Sequence, residues 1–414
     1  MAKISPFKAL RPEAQFAKAV ASKPYDVLSS EEAKIEAQGN PNSFLHITKS
    51  EIDLPASMDS HAPEVYQKAK ENLSAFISRK ILFQEDKACY YIYKLVMNGH
   101  SQFGLVCTSS VDDYENGIIK KHEFTRPDKE RDRIEHMKAI GAQTGNVFLA
   151  YKNVEEMDAL VSRWTNEKNC QYDFIADDGV QHSIWIVNDT DTIDAITSLF
   201  ASKVPATYIA DGHHRAASAA KVRKELGDDA GPEANYFLTT LFPANQLQIL
   251  DYNRVVKDLN GLSETAFLQA LENKFSVQER AEAVKPEAPH EYGLYMNGKW
   301  YAITAKPGSF ETDPIQILDI SVLQNNILGP ILGIRDQRTD KRIDFVGGIR
   351  GLAELEKRVN SGEMKIAFSI YPVTIHQLFN VADSGEVMPP KSTWFEPKLR
   401  DGLLTHLIAN NQEN

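Results

Sequence analysis

Thr207-Tyr208-Ile209-Ala210-Asp211-Gly212-His213-His214-Arg215-Ala216-Ala217-Ser218-Ala219-Ala220 decides how the rest of the 414-residue sequence is read. Thr207–Ala210 reads as a short strand and Asp211-Gly212 as a turn. The alanine-rich run closed by Gly227 predicts a helix over 213–226. The first N–H groups of a helix lack partners within it and carry partial positive charge, so a strand running into a helix start makes an anion cradle. Gly212 lets a ligand approach the backbone, while His213, His214 and Arg215 add donors. Asp211 has the wrong charge for a simple phosphate neighbour. It suits a general base for a substrate hydroxyl, a ligand for Mg²⁺, or the orienter of a histidine. The plainer reading makes Asp211 a helix cap with two histidines in the first turn by chance.

Upstream, Thr125-Arg126-Pro127-Asp128 predicts a helix start with Thr125 as its cap, followed by an apolar stripe of Ile134, Met137 and Ile140. Arg126, Lys129 and Arg133 share another face, three cations for phosphates or else a solvated surface. His122-Glu123 lies in the preceding loop. It lacks the His-Glu-x-x-His spacing of zinc proteases, which leaves Glu123 as a second candidate base and His122 as a candidate substrate contact. Pro24-Tyr25-Asp26-Val27 predicts an ordered turn between helices at 12–22 and 29–38. It offers Tyr25 and Asp26 to a substrate cleft, or Asp26 only to its own turn. Pro389-Pro390-Lys391-Ser392-Thr393 sets one cation and two hydroxyls on a stiff loop, a phosphate clamp without the glycine spacing of a Walker A loop.

Further elements are a helix over 63–79 and a hairpin of Cys89–Val96 and Gln102–Cys107 around Asn98-Gly99. Strands are expected at 147–151 and 182–187, a helix at 264–274, and a second hairpin at Asn297-Gly298. The fold class is α/β (α+β), with mixed sheets flanked by helices. The expected organisation is a main body over 1–255, a small subdomain over 256–312 containing the linker-like stretch Val284–His290, and a segment 313–414 returning to the main body. A hydrophobic content of 42% with 25% charged residues excludes a disordered chain, and a net charge of −11 argues against a nucleic-acid partner. Three cysteines without metal spacing read as reduced thiols. With no apolar leader and no run long enough to span a bilayer, a cytoplasmic protein without a membrane partner is expected.

The strand–Asp-Gly-His-x-Arg–helix pattern resembles the nucleotide-binding motif of the ParB/sulfiredoxin superfamily. Asp211-Gly212-His213-His214-Arg215 is similar in particular to the free serine kinases within it. Sulfiredoxin carries its catalytic cysteine in this turn, where this chain has His213, so that chemistry is excluded. The resemblance implies a ParB/sulfiredoxin-like phosphate-binding unit with an inserted small subdomain. It also implies ATP or ADP with Mg²⁺ and transfer of a phosphate to L-serine, giving O-phosphoserine. Gly212, His214, Arg215, Lys391, Ser392, Thr393, Arg126 and Arg133 would hold the phosphates, Asp211 the metal, and Asp211 or Glu123, with His213, would serve the proton transfer. A ParB-like nucleotide-hydrolysing switch and a non-catalytic regulator binding a phosphorylated metabolite are the alternatives. Nearly the whole chain also resembles a widespread bacterial family of unknown function, through Pro6-Phe7, Pro24-Tyr25-Asp26-Val27, His122-Glu123-x-Thr125-Arg126 and Met388-Pro389-Pro390-Lys391-Ser392-Thr393-Trp394-Phe395. Asn253-Arg254 departs from the His-Arg expected there.

Overall fold

The computed structural model describes residues 1–227 and 230–408. The chain forms two units, Met1–Leu247 with the segment from Pro397 onward, and Gln248–Glu396. The second unit is thus inserted into the first. The expected division at 256–312 does not hold, because strands on both sides of it share one sheet. Ile366–Ile370 pairs with Glu291–Met296 and with Tyr252–Val256.

The first unit is built on a mixed nine-stranded sheet. Its order runs Ile119–Lys120, Thr207–Asp211, Val147–Tyr151, Tyr236–Pro243, His100–Ser110, Tyr90–Met97, Gln181–Val187 and Tyr172–Ile175, with Ile4–Ser5 also paired to His100–Ser110. The hairpin Tyr90–Met97/His100–Ser110 turns through Asn98 and Gly99, both left-handed at φ 52° and 79°, the conformation its tight turn demands. Val147, Leu149 and Tyr151 bury one face of their strand in a core with Phe200, Ile209 and Phe237. The Ser29 helix forms as Ser30–Glu36 with a reciprocal Ser29–Glu32 capping box. The helix expected over 12–22 is instead a 3-10 turn at Ala14–Phe16 and one α-turn at Ala17–Val20, because Leu10–Pro12 pairs as a strand with Leu82–Gln84.

Helix Pro127–Ile140 starts one residue later than Thr125 predicts. Proline holds the residue before it extended, so Arg126 takes the cap position at φ −99°, ψ 127°, and Thr125 hydrogen-bonds Glu130. Its stripe of Ile134 and Met137 packs on Val222 of helix His213–Leu226 and on Ile408. The segment from Pro397 onward is laced into the first unit by reciprocal backbone bonds of Ser22 with Asp401 and of Leu10 with Thr405, and by a strand pairing of His406 and Leu407 with Gln143 and Ala142.

The second unit has an antiparallel sheet in the order Phe275–Arg280, Lys299–Ala305, Glu291–Met296, Ile366–Ile370, Tyr252–Val256, Ile343–Gly347. Helix Glu264–Leu271 adds Phe267 and Leu271 to its core. Arg254, one of the largest fully buried side chains, bonds Gln337, the Tyr252 carbonyl, and the carbonyls of Pro390 and Lys391.

Gly104 lets the neighbouring strand close over it. A Cβ there would sit 2.5 Å from Thr240 Cγ2 and 2.6 Å from Phe242 Cζ. Overpacking of this kind costs about 1–3 kcal/mol, so Gly104→Ala is expected to lower the thermal midpoint by several degrees. An unchanged melting curve by circular dichroism would contradict that packing.

Candidate active site

Strand Thr207–Asp211 carries a register shift between Ile209 and Asp211: Ala210 is skipped in the pairing, and Asp211 is set opposite Phe148 as the chain turns. Gly212 follows at φ 97°, ψ 31°, and its carbonyl accepts the first helical bond from the Ala216 N–H at 3.0 Å. A Cβ on Gly212 would lie 3.1 Å from the Arg215 guanidinium. The left-handed backbone and the nearness of Arg215 together require glycine.

Arg215 points inward. Its guanidinium donates to the Asn146 carbonyl and to Asp26 Oδ2 at 3.3 Å, and lies 3.6 Å from Asp211 Oδ1. Asp211 Oδ2 accepts from Lys398 Nζ at 3.0 Å. Burial alone would raise the pKa of Asp211, but Lys398 and Arg215 overcome it and hold the carboxylate well below its ordinary range. Tyr25 stands in a one-turn 3-10 segment, and the Arg133 guanidinium covers its ring at 3.9 Å. Asp132 holds the far side of Arg133 at 2.6 Å. A cavity of about 20 Å³, room for about one water, is lined by Tyr25, Arg133, Thr144, Gly145 and Arg215 among others.

The loop before helix Pro127–Ile140 is clipped to the helix start at two points. The His122 N–H donates to His213 Nε2 at 3.3 Å, and the Arg126 N–H donates to His214 Nε2 at 2.9 Å. Both helix histidines therefore carry their proton on Nδ1, and His213 Nδ1 faces Glu123 Oε2 at 3.7 Å. Burial, then His122, holds His213 far below the ordinary imidazole range, and burial also lowers His214. These imidazoles are neutral donors rather than cations.

Tyr25, Asp26, His122, Glu123, Arg126, Asp211, Gly212, His213, His214 and Arg215 thus meet around one helix start. Arg133 reaches the cluster through Tyr25, whereas Lys129 is exposed on the helix surface. The guanidinium of Arg126 is 69% exposed and pairs with Asp128. Lys391, Ser392 and Thr393 belong to the second unit. There Lys391 is left-handed at φ 56°, its carbonyl accepts from Arg254 at 3.0 Å, and Ser392 Oγ donates to the Pro389 carbonyl at 2.6 Å.

Lys398, Asn146 and Asp401 escaped the sequence reading. Lys398 and Asn146 carry no local pattern, and Asp401-Gly402 signals only a turn. Asp401 is 1% exposed, and its Oδ2 has no hydrogen-bond partner. The expected metal role of Asp211 does not fit its surroundings, because both oxygens face fixed cations. Among the described residues, no three His, Cys, Asp or Glu side chains are grouped to hold a metal ion.

The fold and this cluster define a mixed α/β protein in which a buried arginine at a helix start is paired with two carboxylates, one of them also held by a lysine. The chain belongs to the family described as protein of unknown function (DUF1015), whose model matches residues 4–321. No curated protein matches it. Similar solved structures include a free serine kinase variant in complex with AMP, 14% identical over 72% of this chain and 92% of that one, at a TM-score of 0.36. A conserved hypothetical protein from Pyrococcus furiosus is 16% identical over 73% and 95%, at 0.35. C-terminally truncated SbnI from Staphylococcus aureus is 11% identical over 75% and 90%, at 0.38. Likeness this distant assigns no activity to the chain.

Burial pushes the Asp401 carboxyl up to about 8, with Arg215 opposing. Between the ordinary carboxylate value of about 4 and about 8, the folded chain keeps a proton that the unfolded chain has released. Stability therefore falls as pH rises through that window. Asp401→Asn is expected to flatten the fall, read as thermal midpoints at a series of pH values. Parallel curves for variant and wild type would refute the assignment.

Proposed function

We propose that this protein is a phosphotransferase that moves a nucleotide phosphate to the hydroxyl of a free amino acid, with L-serine as the acceptor. The observation that carries the reading is a carboxylate beside an anion cradle: Glu123 Oε2 lies 3.7 Å from His213 Nδ1 at the start of helix His213–Leu226. Phosphoryl transfer needs mainly positioning and charge compensation, with a base to orient the attacking hydroxyl. In this reading the phosphates lie against the N–H groups that follow Gly212. Lys398, Arg126 and Arg215 counter their charge, and Glu123 accepts the hydroxyl proton. Asp211 is a poor base, since Lys398 and Arg215 hold its charge; it keeps those cations in position. The choice of L-serine rests on the resemblance of Asp-Gly-His-His-Arg to the free serine kinases. A non-catalytic regulator is the second reading, favoured by the internal pairing of Arg215 with Asp26 and Asp211.

The test mixes the purified chain with ATP or ADP, Mg²⁺ and each of a panel of amino acids, reading phosphorylated product by mass spectrometry. Wild type is expected to form O-phosphoserine. Glu123→Gln should lose at least about a hundredfold in rate, the ordinary contribution of a positioned base. Bound nucleotide without product from any acceptor would favour the regulator.

A further inference from the structure

His122 is 2% exposed, and neither of its ring nitrogens has a hydrogen-bond partner. Among the described residues it is the one histidine with both nitrogens buried and unpaired. His182 bonds Tyr93 and Arg400, His136 the Ile47 carbonyl, and His406 Gln143 and Glu233. Buried polar groups are rarely left without partners. Two on one ring, beside His213 at the start of helix His213–Leu226, leave a hydrogen-bonding capacity that the protein itself does not use.

The ring is fixed in place. Its own backbone N–H is tied to His213 Nε2, and it stands edge-on to the His213 ring at 4.5 Å. Burial holds it neutral, its pKa lowered to about 4, with the Asp211 charge opposing. A neutral imidazole offers one N–H donor and one lone pair. A hydroxyl can meet either nitrogen, donating to the lone pair or accepting from the N–H. A methyl group can meet neither.

We infer that His122 is a substrate contact, one ring nitrogen hydrogen-bonding the hydroxyl of the acceptor that the Asp211–Arg215 turn serves. This deepens the proposed function and rests on it for the identity of the acceptor. His122 orients the hydroxyl, and Glu123, the next residue, takes its proton. A site built around a hydroxyl contact rejects the analogue that lacks it, because the buried partner is then left unpaired. L-Serine and L-alanine differ by that one oxygen.

The experiment titrates L-serine and L-alanine calorimetrically into the full chain saturated with AMP. It also follows the ring nitrogens of ¹⁵N-histidine-labelled protein by NMR. Wild type is expected to bind L-serine at least tenfold more tightly than L-alanine, with one histidine's ring resonances shifting for L-serine alone. That histidine is identified as His122 by the loss of its signals in His122→Phe. In His122→Phe the two amino acids should bind alike while AMP affinity stays within twofold, and His122→Gln should recover part of the preference. A preference for L-serine that survives in His122→Phe, or ring signals in wild type that ignore L-serine, would overturn the inference. If L-serine moves the His122 signals but no phosphorylated product ever forms, the contact stands and the phosphotransferase reading falls.

Discussion

Arg215 enters the interior of the first unit with its charge intact, and a buried guanidinium is tolerable only when its surroundings answer it. Asn146 answers from just before strand Val147–Tyr151, Asp26 from the turn after Pro24, and Asp211 from the end of the strand that leads into Gly212. Lys398 then closes the other side of Asp211. Four segments far apart in sequence thereby meet at one turn through polar contacts, beside a core in which Val147, Ile209 and Ala216 pack together. The left-handed Gly212 follows from the same interaction, since any side chain there would press on the guanidinium. Without Arg215, Asp26 and Asp211 would be neighbouring like charges with little reason to converge.

Around this charged centre the imidazoles behave differently. His122 and His213 are buried deeply enough to stay neutral, so they act through direction instead of charge. The backbone of the 122–126 loop fixes which nitrogen of His213 and His214 carries the proton. A neutral donor binds an anion less strongly than a cation does, but it imposes a geometry that a flexible lysine cannot. The cluster thus sets charged groups, Lys398 and the arginines, beside neutral imidazoles held in fixed orientations.

Much of this was legible locally. The Asp211–Arg215 turn and the Asn98-Gly99 hairpin both declare themselves within a few residues, because backbone conformation and nearest-neighbour hydrogen bonds decide them. Arg126 and Arg133 show where local reading stops. Both look like cations on a helix face, yet one is exposed and the other is folded onto Tyr25. The cap at Arg126 rather than Thr125 turned on the stereochemistry of one proline. Lys398 and Asp401 were out of reach, because their partners lie far back in the chain and nothing in Pro397-Lys398-Leu399-Arg400-Asp401 distinguishes a site residue from a surface one. The division at 256–312 misled for a similar reason: strand pairing between 252–256 and 366–370 leaves no trace in either segment alone.

The lacing of residues 397–408 into the first unit bears on how the protein is made. A ribosome delivers the Asp211 turn long before it delivers Lys398, with the whole of Gln248–Glu396 in between. Domains tend to fold as they emerge, so the first unit has all the strands of its nine-stranded sheet, and the inserted unit all of its own, before the segment from Pro397 can dock. Until the last stretch docks, Asp211 has only Arg215 to answer its charge, and Leu10 and Ser22 lack their backbone partners. The ion pairs around Asp211 are therefore completed only after Gln248–Glu396 has been made, and a chain truncated before Lys398 would lack one of them.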